Sequence, residues 1–86
     1  MTEPLRVLIV DDHPLFRQGV VHALGWERDI EVVGEASDGR EAVEVFRAEP
    51  SRFTLVLLDL TMPHMDGEQT FAELRRLRAD VRVVLM

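Results

Sequence analysis

The feature that most limits what this chain can become is a regular exchange of hydrophobic period. Short runs in which nearly every residue is apolar alternate with longer stretches in which apolar residues return every three or four positions. Val7, Leu8, Ile9 and Val10 form the first run, which stops at Asp11 and Asp12. Pro14 then stands where a first helical residue belongs. Leu15 and Phe16, Gly19 and Val20, and Ala23 and Leu24 share one face of the helix that follows, with Gly25 as its C-cap. Residues 30–36 alternate as a second strand would. Asp38, with Glu41 three positions on, starts a second helix in the manner of a capping box, striped by Ala42, Val43 and Phe46. Pro50 and Ser51 interrupt. Residues 55–58 form a third strand, again ending on an acid, Asp59. Asp66 with Gln69 opens a third helix striped by Phe71, Leu74 and Leu77, and residues 81–86 read as a fourth strand.

Strands of continuous apolar character, separated by single helices, predict an α/β domain with a parallel sheet covered on both faces. A mixed α+β arrangement would need hairpin turns between strands, and the sequence offers none. The chain of 86 residues makes one small domain, and its 47% hydrophobic content is enough to fold. A chain this short buries little more than about 60% of its unfolded surface, so each element matters.

Charge narrows the partners. Ten basic residues, all arginine, stand against sixteen acidic ones, for a net charge of −6. Direct nucleic-acid binding is therefore not expected of this chain, because a phosphate-binding surface needs a basic footprint. The absence of cysteine excludes disulfides, thiolate zinc sites and thiol catalysis. No basic region followed by a long apolar stretch opens the sequence, and no apolar run exceeds four residues, where a membrane span needs about 20. A soluble, cytoplasmic chain without membrane contact is expected by elimination.

The acids carry the chemistry. In a doubly wound sheet of order 2-1-3-4-5 the C-terminal ends of the first and third strands flank the crevice where ligands bind. Asp11, Asp12 and Asp59 should meet there. Converging carboxylates repel one another, and a hard divalent cation relieves the repulsion; magnesium takes one or two carboxylates, waters and phosphate oxygens. A carboxylate beside such a cation can also attack phosphorus. Acids at strand ends commonly serve as helix caps or solvated loops, as Asp12 alone would be read, but three acids at one predicted crevice favour a site.

The same residues resemble the receiver domain of two-component response regulators. The resemblance rests on the stretches from Val7 to Pro14, from Gly34 to Ala42, and above all from Leu57 through Asp59, Thr61, Met62, Pro63 and Asp66 to Gly67. The first half is similar to receivers attached to LuxR- and NarL-type transcription regulators, the second to receivers fused to hybrid histidine kinases. The resemblance implies a flavodoxin-like fold with strand order 2-1-3-4 and a phosphorelay role that is not enzymatic. Asp59 would accept phosphoryl from a sensor histidine kinase. Asp12, Asp59 and the backbone carbonyl of Thr61 would bind Mg2+, with Asp11 acting through water, and Met62, Pro63 and Gly67 would shape the following loop. The signal would pass to a fused or separate output domain, DNA-binding or kinase.

On the family pattern a receiver continues past its fourth strand with a switch Ser or Thr, a fourth helix, a fifth strand bearing a Lys, and a fifth helix. Residues 1–86 are thus expected to be a partial receiver domain. A missing electrostatic partner of that kind costs a factor of about 10²–10³ in rate, so an interaction or structural fragment without phosphotransfer is the alternative reading. A phosphohydrolase using Asp59 as nucleophile ranks below both, because the haloacid-dehalogenase-like pattern wants a second acid where Thr61 stands.

Smaller candidates carry less. His13, His22 and His64 have no recognised metal-ligand spacing. Arg75, Arg76 and Arg78 end a helix, where cations are favoured by its dipole. Phe16, Trp26, Phe46 and Phe71 are expected in the core or at its margin. An apolar fourth strand at a sheet edge invites pairing with a second copy. Concentration-dependent self-association through that edge is expected, and light scattering that reports a monomer across a wide dilution series would exclude it.

Overall fold

The computed structural model describes residues 3–59 and 67–85. In chain order it contains β1 (Leu5–Val10), α1 (Pro14–Leu24), β2 (Ile30–Ala36), α2 (Gly39–Ala48), a single 3-10 turn (Pro50–Arg52), β3 (Leu55–Leu58), α3 (Gly67–Leu77) and β4 (Arg82–Leu85). The strands form one parallel sheet in the order β2-β1-β3-β4. This is the order implied by the resemblance. No helix among the described residues is long and apolar enough to cross a membrane.

Right-handed crossovers fix the layers. The connection from β1 to β2 runs outward in one direction, while those from β2 to β3 and from β3 to β4 run in the other. So α1 covers one face, and α2 and α3 cover the opposite one. Strand parity agrees: Leu8, Val10, Val56 and Leu58 join Ala42, Val43, Phe46, Phe53, Leu74 and Val81 in one buried cluster beneath α2 and α3. Val7 and Ile9 point to the other face and are also buried.

Both faces of the sheet are covered, as the sequence predicts, but the two helical layers are unequal. Helix α1 contains no buried residue. Leu15 is 84% exposed and Phe16 57%, so the stripe read from the sequence packs only through its partly buried members Val20 and Leu24. Trp26 and Phe71 are exposed as well; of the four aromatics assigned to the core or its edge, only Phe46 is fully buried. In α3 the buried positions are Gly67, Thr70 and Leu74. At the sheet's edge, Val84 and Leu85 of β4 are about half exposed.

Local geometry explains the rest. Asp38 caps α2, its Oδ1 accepting the Glu41 N–H at 2.8 Å. Gly25 does cap α1, but in right-handed conformation; the helix tightens there, with Gly25 N–H shared between the Val21 and His22 carbonyls. At Gly34 space is tight instead. The β1–β2 register slips by one residue between Val7 and Leu8, and a Cβ on Gly34 would lie 3.0 Å from the Phe53 ring and 3.2 Å from Leu8.

Arg78 has a role that the helix-dipole reading of its cluster missed. Its Nη1 donates to the carbonyls of Pro50 at 2.7 Å and Phe53 at 2.6 Å, and its guanidinium lies 5.6 Å from the Phe46 ring, which itself stacks on Phe53. One side chain thus ties the end of α3 to the segment entering β3. Its neighbours act locally: Arg75 donates to the Ala79 carbonyl and Arg76 pairs with Glu73. Hydrogen bonds from charged donors contribute about 1.5–3 kcal/mol each, so Arg78→Ala is expected to lower stability by roughly 2–3 kcal/mol. Urea unfolding followed by circular dichroism measures this, and an unchanged midpoint would refute the latch.

Candidate functional site

Register builds the site. Val10 pairs with Leu58 across the parallel β1–β3 ladder, so the residues that follow, Asp11 and Asp59, leave the sheet side by side. The ladder continues one step past the strands: Asp59 N–H donates to the Val10 carbonyl and Asp11 N–H to the Ala36 carbonyl, both at 3.0 Å. These bonds place the two acids at the C-terminal edge of the central strands. Asp11 and Asp59 are buried and Asp12 is half-buried.

The loop beyond β1 turns sharply. Asp11 Oδ1 accepts the backbone N–H of His13 at 2.8 Å, and Pro14 presets the first helical torsion of α1. His13, not Asp12, occupies the N-cap position, and its side chain caps nothing. The cap explanation of Asp12 therefore does not apply. One carboxylate oxygen each from Asp11, Asp12 and Asp59, together with a ring nitrogen of His13, lie within 4.8 Å of one another. His13 Nδ1 is 2.8 Å from Asp12 Oδ1, a close approach without hydrogen-bonding geometry, 3.3 Å from Asp11 Oδ1 and 3.9 Å from Asp59 Oδ2.

Three carboxylates at such spacing repel, by about 1 kcal/mol per pair under full water screening and about 3 kcal/mol at an effective dielectric of about 20. Two of their oxygens, Asp11 Oδ2 and Asp12 Oδ1, are buried with no hydrogen-bond donor. Buried acceptors left without donors are costly unless an ion completes them. Hard oxygen atoms from three acids suit a hard divalent cation of the magnesium type. The donor set fits.

The structure thus brings together Asp11, Asp12 and Asp59 as the sequence predicts, and adds His13. The sequence reading weighed His13 only with His22 and His64 as a transition-metal set. The usable signal was simpler: His13 directly follows the acid pair. His22 packs its ring edge against Trp26, and His64 lies outside the described residues. So do Thr61, Met62, Pro63 and Asp66. Gly67, assigned to the loop after Asp59, is the buried first residue of α3.

Comparison with known proteins gives the same direction. The family described as response regulator receiver domain matches residues 7–86. The chain is 46% identical over 84 residues to the probable transcriptional regulatory protein NarL of Mycobacterium tuberculosis, covering 98% of this chain and 38% of that protein. It is 43% identical over 83 residues to the nitrate/nitrite response regulator protein NarL of Escherichia coli, covering 96% of this chain and again 38% of the relative. Both alignments run through both halves of the sequence. Among solved structures, the signal receiver domain of the Mycobacterium tuberculosis NarL superposes with a TM-score of 0.85 at 46% identity, over 98% of this chain and 66% of that one. A chain of the CheX–CheY–BeF3–Mg2+ complex of Borrelia burgdorferi gives a TM-score of 0.88 at 30% identity, over 96% of this chain and 61% of that one. The chain therefore spans about two-fifths of the curated relatives' length.

The crowding of the acids has a measurable consequence. In chelator at pH 8, Asp12→Asn is expected to stabilise the fold by about 1 kcal/mol, since it removes one member of the repelling set. A divalent cation should then raise the unfolding midpoint of the wild type more than that of the variant. A destabilised Asp12→Asn in chelator would show that repulsion does not dominate the cluster.

Proposed function

Because the chain belongs to the response regulator receiver domain family, we propose that it is the phosphoacceptor module of a two-component phosphorelay, with Asp59 as the acceptor. The observation that carries this reading is the convergence of Asp11, Asp12 and Asp59 at the edge between β1 and β3. A sensor histidine kinase would present phosphohistidine to that edge. An Asp59 oxygen forms the new O–P bond while the P–N bond to the kinase's imidazole breaks, and the imidazole leaves with the bonding electron pair and takes up a proton. Asp12, Asp59 and the Thr61 carbonyl would hold Mg2+, with Asp11 acting through water, and the ion would offset negative charge on the transferring phosphoryl oxygens. The fit of the donor set and the likeness to a chain of a CheX–CheY complex solved with Mg2+ support the choice of metal.

Two features of the chain's own residues prepare the transfer. Backbone bonds from Asp59 to Val10 and from Asp11 to Ala36 hold the acids on the rigid edge of the sheet rather than on a loose loop. The helix that follows Asp12 directs the positive end of its dipole toward the acids, and no acidic residue occupies its first turn to weaken that field. The output is proposed by analogy with the transcriptional regulator it resembles, as a DNA-binding domain that responds to the phosphorylated receiver. The role is signalling rather than turnover. Binding without phosphotransfer is the second reading, supported by the exposed apolar residues Leu15 and Phe16 on α1 and Val84 and Leu85 on β4.

Incubation with a small-molecule phosphodonor, followed by intact-mass spectrometry, tests the proposal. A gain of one phosphoryl group that requires Mg2+ and is absent in Asp59→Asn is the expected result. No gain with Mg2+ still bound would favour the binding module. Equal gain in the Asn variant would move the acceptor elsewhere.

A further inference from the structure

The acidic loop is gripped from outside by one arginine. Arg17, on the second turn of α1, reaches back so that its Nη1 donates to the carbonyl oxygen of Asp11 at 2.6 Å. Its Nε donates to Glu35 Oε1 on β2 at 3.1 Å, and its backbone N–H donates to the His13 carbonyl at 2.9 Å. The side chain is only 19% exposed. A guanidinium is suited to this task because its planar fork can serve two acceptors in fixed geometry.

What these bonds restrain is the peptide linking Asp11 to Asp12. Asp11 N–H is fixed by Ala36, its Oδ1 by His13 N–H, and its carbonyl by Arg17. The carbonyl belongs to the peptide plane that sets the direction in which Asp12 leaves the chain. Rotation of that plane would carry the Asp12 carboxylate away from Asp59. Without Arg17 the carbonyl would lose its partner, and the turn would be held only by the Ala36 bond to Asp11 N–H and by the His13 N–H bond to Asp11 Oδ1.

We propose that Arg17 is a positioning residue for the cation site. It acts through the Asp11 carbonyl to hold Asp12 in register with Asp59, and Glu35 anchors the guanidinium and offsets its charge. This inference rests on the magnesium-assisted phosphoacceptor reading above. The sign of the effect separates it from simple electrostatics. As a mere positive charge beside the acids, Arg17 would oppose a cation, and removing it would tighten binding. As a latch, its removal weakens binding.

The test is calorimetric titration of Mg2+ into the wild type, Arg17→Ala, Arg17→Lys and Glu35→Gln, with unfolding midpoints measured in chelator. Arg17→Ala is expected to weaken Mg2+ on the order of tenfold, the scale on which groups that orient metal ligands act. Arg17→Lys keeps one donor for the carbonyl and should recover most of the affinity; Glu35→Gln, which frees the anchor, should weaken it by about two- to threefold, a smaller change than loss of the latch itself. The phosphorylation defect of Arg17→Ala should fade as Mg2+ is raised to saturation, which a general loss of structure would not allow. Unchanged or tighter Mg2+ binding in folded Arg17→Ala overturns the latch alone. If Arg17→Ala does not fold, unchanged affinity in Glu35→Gln overturns it. Absence of Mg2+ binding to the wild type overturns the magnesium reading and the latch with it.

Discussion

Everything at the acidic edge depends on the parallel register of β1 with β3. Because Val10 faces Leu58, the next residue on each strand is an acid, and the two acids emerge together. A slip of one residue would send Asp59 to the opposite side of the sheet and carry Val56 and Leu58 out of the cluster beneath α2 and α3, since side chains alternate along a strand. The register is held by burial. Leu8, Val10, Val56 and Leu58 all lie in the core beneath α2 and α3. The apolar cluster therefore stabilises an arrangement that the carboxylates, left to themselves, would oppose.

The unequal covering of the sheet changes how the site is secured. The face under α2 and α3 is fastened by Phe46, Phe53 and Leu74, all fully buried. Helix α1 begins directly behind the acid pair yet buries no residue completely. Apolar packing contributes on the order of 25 cal/mol per Å² removed from water, and a helix with Leu15 and Phe16 in solvent gains little of it. Polar contacts fill the deficit: Arg17 joins α1 to the Asp11 carbonyl and to Glu35 on β2. The element nearest the chemistry is thus the one most dependent on directed hydrogen bonds.

The sequence made the sheet legible because its strands are short, apolar and stopped by acids, while its helices begin at Pro14 and at the Asp38 cap. Asp11, Asp12 and Asp59 could be assigned to one site because topology alone brings the ends of β1 and β3 together. Other features were hidden for a physical reason. The exposure of Leu15 and Phe16 depends on what packs over α1, and periodicity records only that they share a face. Phe53 lies between elements, where no period marks it, although it is 1% exposed and stacks on Phe46. Arg78 looked like a helix-end cation because its acceptors, Pro50 and Phe53, are distant in sequence. His13 was legible only through its position next to the acids.

The exclusive use of arginine follows the same logic. Arg6 donates to the carbonyls of Arg52 and Ser51, Arg17 to that of Asp11, Arg75 to that of Ala79, and Arg78 to those of Pro50 and Phe53. Each acceptor lies outside regular helix or in the single 3-10 turn, where the backbone has surrendered its repeating partners. A lysine ammonium offers its donors as a point charge on a flexible stem; a guanidinium presents them in a fixed plane and remains charged. In a domain this small, where the core is limited, those forks order the segments that hydrophobic packing cannot reach. Arg6 and Arg78 secure the entry to β3, while Arg17 secures the exit from β1. The β1–β3 pair is thereby braced by charged donors at both ends, with the apolar ladder between them, and the acidic edge inherits its geometry from that brace.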